Sequence, residues 1–248
     1  MPLKVVVLGG TRGIGRALAR RLAARGDSVH LLGRDPVELE RGAADLAARM
    51  PATASVTSSL CDLEQPDTFA AALDAASTAL GGFDTVVVTA GMFGTQGALE
   101  ADAGFTQRLL TVNFAHTVLF CEHVRAYLVS RGGGTLCVFS SVAGDRGRKP
   151  VILYGASKAG VSAYLEGLDH KFRSAGLRVV CVKPGFVRTG MTEGLPEPPF
   201  AADPDQVAAV AVRAIDRGTP VVYAPPIWAL VMLVIRWLPR AAMRRVGF

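Results

Sequence analysis

Apolar residues alternate between two patterns along most of the chain. Seven short runs rich in β-branched residues have the character of strands, and they cover residues 4–9, 28–33, 54–60, 84–90, 134–140, 177–183 and 220–224. Longer stretches with helical spacing of apolar residues lie between them, as in residues 15–26, 67–80, 105–132 and 155–176. Nearly continuous apolar strands are typical of parallel sheets covered on both faces. The alternation predicts an α/β fold of the Rossmann type, with a doubly wound, seven-stranded and mostly parallel sheet and helices on both faces.

The pattern changes after the last predicted strand. An almost unbroken apolar run covers residues 227–238, with Arg236 as its one interruption and prolines on both sides. A membrane-spanning helix needs roughly 20 residues, so this run is too short to cross a bilayer. We therefore divide the chain into a nucleotide-binding domain over residues 1–225 and an apolar, basic tail over residues 226–248.

Two interpretations of the tail stay open. It either completes the substrate pocket or an oligomer interface, or it lies in a membrane interface with its arginines against anionic lipid. Arg236, Arg240 and Arg244 are spaced four apart, so a continuous helical path would align them on one side.

Composition narrows the function classes. Half of the 248 residues are apolar and 19% are charged, which indicates a packed globular core. The net charge is +6, but residues 224–248 hold four arginines and no acid, which leaves 6 − 4 = +2 for the rest. We therefore expect no nucleic-acid partner. The four cysteines are far apart and predict buried thiols rather than a metal site. Without a signal peptide at the start, we expect a cytoplasmic protein, peripheral on the inner membrane face if the tail binds lipid.

A glycine-rich turn follows the first predicted strand. The stretch LGGTRGIGRALA, residues 8–19, places Gly9, Gly13 and Gly15 between a strand and a helix. Residues without a side chain allow a tight turn, and the free N–H groups of the following helix attract a pyrophosphate. The segment predicts a dinucleotide site.

The end of the second strand indicates which nicotinamide cofactor binds. NAD is usually held there by an acidic residue, and NADP by arginine. Gly33 occupies the usual acidic position, Arg34 follows it, and Arg12 of the glycine turn supplies a second cation. Asp35 is one residue further and more plausibly begins the next helix. We therefore expect NADP(H) to be preferred over NAD(H).

Four polar residues form a candidate catalytic set. Tyr154 and Lys158 are four apart at the start of a predicted helix and so share one face. Ser141 lies thirteen residues before Tyr154, just after the fifth strand, next to Ser140. Asn113 lies within the predicted helix 105–132.

This set, with the spacing of the glycines, resembles the short-chain dehydrogenase/reductase family from about residue 4 to residue 224. The resemblance implies an Asn–Ser–Tyr–Lys tetrad of Asn113, Ser141, Tyr154 and Lys158. The cofactor residues that it implies are Gly9, Thr11, Arg12, Gly13, Ile14, Gly15, Arg34, Asp62, Leu63, Ala90, Gly91, Tyr154, Lys158, Pro184, Gly185, Val187 and Thr189. Leu8 and Thr89 depart from the family's usual threonine and asparagine.

Physical roles follow for the tetrad. A ketone that accepts hydride develops alkoxide charge, which needs a proton donor and a fixed dipole. We expect Tyr154 to donate the proton, Lys158 to lower the pKa of Tyr154, and Ser141 to hold the carbonyl oxygen. Asn113, like its family counterpart, is expected to hold a water molecule that links Lys158 to solvent. The family also implies a homodimer or homotetramer through the helices of residues 105–132 and 154–175.

Three loops are expected to set substrate specificity: residues 91–99, 144–153 and 190–203. The third carries Met191, Leu195 and Phe200, which favour a lipophilic substrate. The second carries Arg146, Arg148 and Lys149, which form either a site for an anionic substrate group or a solvated turn.

The catalytic half and the tail also resemble a bacterial subgroup of the family that reduces a decaprenylphosphoryl-linked keto-pentose. Our leading interpretation is an NADPH-dependent oxidoreductase that reduces a ketone to a secondary alcohol, or the reverse, on a small-molecule or lipid-linked keto-sugar-type substrate. The alternatives are a soluble ketoreductase of secondary metabolism and a non-enzymatic NADP(H)-sensing scaffold.

Overall fold

A single parallel sheet organises the protein. The computed structural model describes residues 2–245, and it places seven strands in the order β3-β2-β1-β4-β5-β6-β7 with every neighbouring pair parallel. The strands are β1 Lys4–Leu8, β2 Ser28–Gly33, β3 Val56–Leu60, β4 Thr85–Val88, β5 Gly134–Phe139, β6 Leu177–Pro184 and β7 Val221–Ala224. The predicted fold class is confirmed, and the sheet is parallel throughout rather than mostly so.

Helices cover both faces of the sheet. They are α1 Gly13–Arg25, α2 Pro36–Ala47, α3 Thr68–Leu80, α4 Gln96–Ala101, α5 Ala103–Leu110, α6 Thr117–Ser130, α7 Ile152–Phe172, α8 Pro204–Arg217, α9 Ile227–Trp237 and α10 Arg240–Arg245. One apolar core packs α3, α6 and α7 against the sheet, and a second packs α1, α2 and α8 against the opposite face. All four cysteines are buried and unpaired within these layers, as predicted.

The strand order positions the site. The chain winds outwards from β1 to β3, then returns to the other side of β1 as β4. Ligands of doubly wound sheets bind in the crevice that this reversal opens at the carboxyl ends of the strands. The loops after β1, β4, β5 and β6 therefore meet at one edge.

The predicted helix over residues 105–132 is interrupted. It consists of α5, a π-helical segment Thr111–His116, and α6. A π-helical turn frees a carbonyl from the regular α-helical ladder, and here Thr117 Oγ1 donates to Val112 O at 2.8 Å. The wider turn accommodates Asn113 as a buried residue.

The tail folds into two short helices, α9 and α10, separated by a turn at Leu238 and Pro239. That break means that Arg236, Arg240 and Arg244 do not lie along one continuous helix, contrary to the expectation from their spacing. No helix within residues 2–245 is long and apolar enough to cross a membrane. Residues 246–248 of the predicted tail lie outside the described part of the chain.

Candidate active site

The predicted site residues lie at one edge of the sheet or on the helices beside it. Most of these residues lie in the segments that follow the strands, and Pro184 is the last residue of β6. The segments are those after β1 (Gly9, Thr11, Arg12, Gly13, Ile14, Gly15), β2 (Arg34), β3 (Asp62, Leu63), β4 (Ala90, Gly91), β5 (Ser141) and β6 (Gly185, Val187, Thr189). Asn113 lies in the π-helical segment, and Tyr154 and Lys158 lie in the first two turns of α7.

The glycine turn is tight enough to exclude side chains. Gly9 and Gly13 have φ angles of 89° and 50°, which favour glycine. A Cβ on Gly15 would lie 2.2 Å from Gly9 O, and a Cβ on Gly9 would lie 2.6 Å from Ala90 N. A Cβ on Gly13 would lie 3.3 Å from Thr189 Cγ2. The loops after β1, β4 and β6 therefore meet here.

The start of α1 suits a phosphate group. Arg12 occupies the N-cap without making a side-chain cap, and the first turn holds no acidic residue. By contrast, the Asp35 carboxylate accepts hydrogen bonds from Val37 N and Glu38 N at the start of α2. The N–H groups of α1 are thus available to an anion, which is what a dinucleotide pyrophosphate requires. The residues present therefore fit a nicotinamide dinucleotide.

Thr89 replaces the family's asparagine with a contact of its own. Its hydroxyl donates to Leu8 O at 3.0 Å, and its N–H donates to the same carbonyl at 2.9 Å. The end of β4 is thereby joined to the end of β1, directly beside the glycine turn.

The two arginines expected near a 2′-phosphate are exposed, and each is paired with a different carboxylate. Arg12 Nε lies 3.2 Å from Glu38 Oε2, and Arg34 Nη1 lies 3.0 Å from Glu64 Oε1. Their convergence on one phosphate stays a prediction. Asp35 caps α2 as predicted, so its carboxylate is committed to backbone N–H groups.

Two of the predicted cofactor residues, Asp62 and Leu63, follow β3. Asp62 Oδ1 accepts from Glu64 N at 2.9 Å, which shapes the turn. Leu63 is buried, and its carbonyl contacts His116 Nδ1 at 2.5 Å. This contact joins the loop after β3 to the π-helical segment that holds Asn113.

Lys158 is held inside the site. It is 7% exposed, and its ammonium donates to Phe139 O, at the end of β5, at 3.1 Å. Its Nζ lies 5.8 Å from the centroid of the Tyr154 ring. Because both residues lie on one face of α7, the spacing of four places them side by side as predicted from the sequence.

Ser140 and Ser141 have different surroundings. The Ser140 hydroxyl donates to Lys158 O at 2.9 Å and contacts Ser162 Oγ at 2.7 Å, so it is used in packing α7. Ser141 Oγ accepts from Ala143 N at 3.1 Å and donates to Pro184 O at 3.5 Å, and its hydroxyl is near enough to the Tyr154 phenol to act on the pKa of that group. Of the two serines, Ser141 is therefore the one beside the Tyr154 phenol.

Both the oxygen and the nitrogen of the Asn113 side-chain amide form hydrogen bonds with the backbone of Met92. Oδ1 accepts from Met92 N and Nδ2 donates to Met92 O, each at 2.7 Å. A Cβ on Gly91 would lie 3.2 Å from Asn113 Oδ1 and 3.6 Å from Lys158 Nζ. Asn113 thus fixes the loop after β4 at a point where Gly91 leaves room beside Lys158.

Burial shifts the two titratable groups in opposite directions. It raises the pKa of Tyr154 to about 12, and the neighbouring Ser141 hydroxyl opposes this shift. It lowers the pKa of Lys158 to about 8, because the ammonium is removed from water. The expectation that Lys158 lowers the pKa of Tyr154 stays a prediction.

Two aromatic residues of the site were not predicted from the sequence. Phe93 packs edge-on against Tyr154, with ring centroids 5.1 Å apart. Trp228 of α9 lies against Gly185, where a Cβ would be 2.0 Å from Trp228 Nε1. It also meets Phe200 edge-on at 6.3 Å. The sequence could have indicated both residues, because Phe93 and Trp228 come just after β4 and β7. The segments that follow parallel strands meet at one edge of the sheet.

The basic loop serves the tail. Arg146 donates to Arg236 O at 3.4 Å and to Leu238 O at 2.9 Å, and Lys149 donates to Arg244 O at 2.7 Å. These cations satisfy carbonyls at the ends of α9 and α10. Holding the tail is a role for Arg146 and Lys149 that was not predicted from the sequence.

Arg148 differs from its two neighbours. Its Nε is buried and has no hydrogen-bond partner among residues 2–245. Burial also lowers the pKa of its guanidinium. The nearby Asp145 is already bound by Lys183 Nζ and Tyr223 Oη, each at 2.6 Å. Arg148 therefore differs from Arg146 and Lys149 in holding a buried donor that no described residue satisfies.

Comparisons with known proteins agree with this geometry. The family model of the short-chain dehydrogenases matches residues 4–199. An uncharacterized oxidoreductase of Streptomyces coelicolor is 37% identical over 251 residues, covering 99% of this chain and 96% of that protein. One of Mycobacterium tuberculosis is 35% identical over 246 residues, covering 98% and 96%.

One relative with a named activity and one protein of known structure extend the comparison. The cis-4-hydroxycyclohexanecarboxylate dehydrogenase of Sinomonas cyclohexanicum is 31% identical, covering 88% of this chain and 92% of its own. A short-chain dehydrogenase/reductase of Mycobacterium ulcerans shares the fold, with a TM-score of 0.81 and 24% identity over 98% of this chain and 97% of its own. The chain therefore belongs to the short-chain dehydrogenase/reductase family and is an oxidoreductase that acts on alcohol or ketone groups.

Proposed function

We propose that this protein is an NADPH-dependent reductase that converts a ketone of a lipophilic substrate to a secondary alcohol, or catalyses the reverse. The observation that carries the proposal is the placement of Ser141, Tyr154 and Lys158 at the carboxyl edge of the sheet. Ser141 and Lys158 both lie near Tyr154, and the Tyr154 ring packs against Phe93. The bound nicotinamide supplies hydride, and the protein supplies the proton and the positioning.

The residues have distinct tasks in this scheme. Ser141 and Tyr154 hold the carbonyl oxygen between two hydroxyl groups, and Tyr154 Oη gives up its proton as negative charge develops on that oxygen. The high pKa of Tyr154 keeps the phenol protonated at neutral pH. Lys158, protonated below a pKa of about 8, would then return a proton to the Tyr154 phenolate.

The proposed preference for NADPH rests on the side chains in and near the segment that follows β2. Arg12 and Arg34 are exposed beside the glycine turn, while the carboxylate of Asp35 is committed to capping α2. The test is kcat/KM with NADPH and with NADH, for the wild type and for Arg34→Glu. We expect wild type to favour NADPH by about 10-fold or more, and Arg34→Glu to erase the preference. A wild type that favours NADH would overturn this part of the proposal.

We propose a substrate with a long apolar portion and an anionic group, of which a lipid-linked keto-sugar is one example. Three apolar residues of the loop 190–203 face solvent or are half-buried at the site: Met191, Leu195 and Phe200. Arg148 offers a buried donor without a partner among the described residues. This choice of substrate class follows the resemblance, inferred from the sequence motifs alone, to reductases of a decaprenylphosphoryl-linked keto-pentose.

NADPH oxidation with a ketone panel tests the reaction. The panel should contain cyclic ketones, long-chain ketones and keto-sugars, each with and without a phosphate group. We expect turnover in wild type and a loss of at least about 1,000-fold in Tyr154→Phe with NADPH binding intact. If both proteins are inactive across the panel but bind NADPH equally, the NADP(H)-sensing scaffold replaces this proposal.

We also propose a homo-oligomer built through the helices that family members use. Phe114 of the π-helical segment and Leu119 of α6 are 41% and 47% exposed, and both lie on that surface. Light scattering behind a sizing column tests this point. A monomer at micromolar concentration would contradict it.

A further inference from the structure

Helix α9 is apolar on two opposite faces. The inner face, formed by Trp228, Val231, Met232 and Ile235, packs with Val142, Tyr223 and Met243. The outer face consists of Ile227, Leu230, Leu233, Val234 and Trp237. Within each face the residues recur at intervals of three and four, so each forms a single stripe along the helix.

The outer face is exposed. Trp237 is 82% exposed and Leu230 is 61% exposed, and the other three residues of the face are between 40% and 58% exposed. Isolated exposed apolar residues are ordinary, but five large ones on consecutive turns of one short helix form a patch that indicates a binding surface.

The surroundings of this face are positive. Arg236 lies in α9 itself, and Arg240, Arg244 and Arg245 lie in α10; all four side chains are exposed. Residues 224–248 contain no acidic residue. An apolar stripe beside a set of arginines is complementary to the boundary between acyl chains and anionic headgroups.

We propose that the outer face of α9 docks on an anionic membrane surface, with the helix lying in the plane of the interface. A second copy of the chain fits less well, because a symmetric contact would bring two sets of four arginines together with no acid from either segment. Docking on a membrane does not depend on the reductase activity. The consequence of docking for access of the substrate does rest on the proposed function.

The docking surface is fixed to the wall of the site. Trp228, on the inner face, lies against Gly185 and contacts Phe200. Arg146 and Lys149 bind the ends of α9 and α10 from the loop that leads to Tyr154. One helix therefore closes the predicted substrate pocket with its inner face and contacts lipid with its outer face. This arrangement places the pocket entrance at the bilayer, where a lipid-linked substrate resides.

Vesicle cosedimentation with purified full-length protein tests the proposal. We expect the wild type to sediment with vesicles of phosphatidylcholine that contain about one third phosphatidylglycerol, and much less with phosphatidylcholine alone. Binding should weaken as salt rises from about 0.05 M to about 0.5 M. Leu230→Ser/Trp237→Ser should lose at least about 10-fold in vesicle affinity. Leu60→Ser is the matched control, since Leu60 is 56% exposed in β3 at the opposite edge of the sheet.

Tryptophan fluorescence gives a second readout. The chain has two tryptophans, Trp228 in the packed interior of the tail and Trp237 on the outer face. Vesicles should shift the emission of wild type to shorter wavelength, and Trp237→Phe should remove the shift while it retains binding within a few-fold. Wild-type protein that stays in the supernatant with anionic vesicles would overturn the proposal. So would a dimer that Leu230→Ser dissociates, because the face would then belong to a second copy. NADPH oxidation by the same preparations tests the reductase proposal separately.

Discussion

The indole of Trp228 lies so close to Gly185 that a Cβ at position 185 would be 2.0 Å from Nε1. Gly185 follows β6, and its N–H donates to Ala224 O at 3.0 Å, which holds the ends of β6 and β7 together. The tail therefore reaches the predicted cofactor residues after β6 only because residue 185 lacks a side chain.

Gly185→Ala should displace Trp228 and loosen α9. We expect the free energy of unfolding to fall by about 1–3 kcal/mol, because a methyl group is forced into a filled space. We expect kcat/KM to fall about 10-fold or more, since the wall of the site moves with the indole. Denaturant titration and steady-state kinetics measure the two effects. Gly190→Ala is the control, because a Cβ there meets nothing within 4 Å; equal behaviour of the two variants would contradict the prediction.

The two adjacent serines should differ in their effect on catalysis. Ser141→Ala should lower kcat at least about 100-fold, since it removes the hydroxyl beside Tyr154. It should also lower the free energy of unfolding by about 1 kcal/mol, because Ser141 Oγ accepts from Ala143 N at 3.1 Å and caps the turn after β5. Ser140→Ala should lower the free energy of unfolding by a similar amount, about 1 kcal/mol, since its hydroxyl binds Lys158 O and Ser162 Oγ in the interior. Its kcat should stay within a few-fold of wild type. A larger loss of kcat in Ser140→Ala than in Ser141→Ala would place Ser140, not Ser141, at the substrate carbonyl.

Most of the fold could be predicted from the sequence, because its strands and helix starts are specified by residues within the same segment. Each predicted strand agrees with an observed strand to within two residues at either end, since a buried parallel strand is a nearly continuous apolar run. The N-cap role of Asp35 was also accessible, because it depends on a residue type next to its own helix.

Features that depend on contacts between residues far apart in the chain could not be predicted from the sequence. The π-helical segment is held by the contact of His116 with Leu63 O, 53 residues earlier in the chain. The pKa of Tyr154 depends on how completely the fold removes the phenol from water. The basic loop was predicted to face substrate or solvent, whereas two of its cations bind carbonyls about 90 residues later in the chain.

Lys158 should make stability depend on pH between about 8 and 10. Burial lowers its pKa from 10.5 to about 8, so in this window the unfolded chain binds a proton that the native protein lacks. The free energy of unfolding then rises with pH, by about 1.4 kcal/mol per unit at most. Below pH 8 both states are protonated and the contribution is constant. Tyr154, whose pKa is raised from 10.0, acts in the opposite direction only above pH 10.

The comparison with Lys158→Met isolates this contribution from that of other groups. Urea titrations without cofactor at pH 7, 8, 9 and about 10 should give a difference, wild type minus variant, that increases with pH above 8. A difference that is flat from pH 7 to 10 would contradict a lowered pKa for Lys158.

The basic loop should control how firmly the tail is held. Arg146→Gln/Lys149→Gln shortens both side chains and removes the guanidinium and the ammonium that donate to Leu238 O and Arg244 O at the ends of α9 and α10. We expect amide hydrogen exchange in residues 227–245 to accelerate by about 10-fold or more, while exchange in β1 and β4 stays unchanged. Arg213→Gln/Arg217→Gln, which removes two positive charges from α8, is the matched control. If α9 and α10 exchange at the wild-type rate in Arg146→Gln/Lys149→Gln, the inner face of α9 alone holds the tail, and these two cations must have another task.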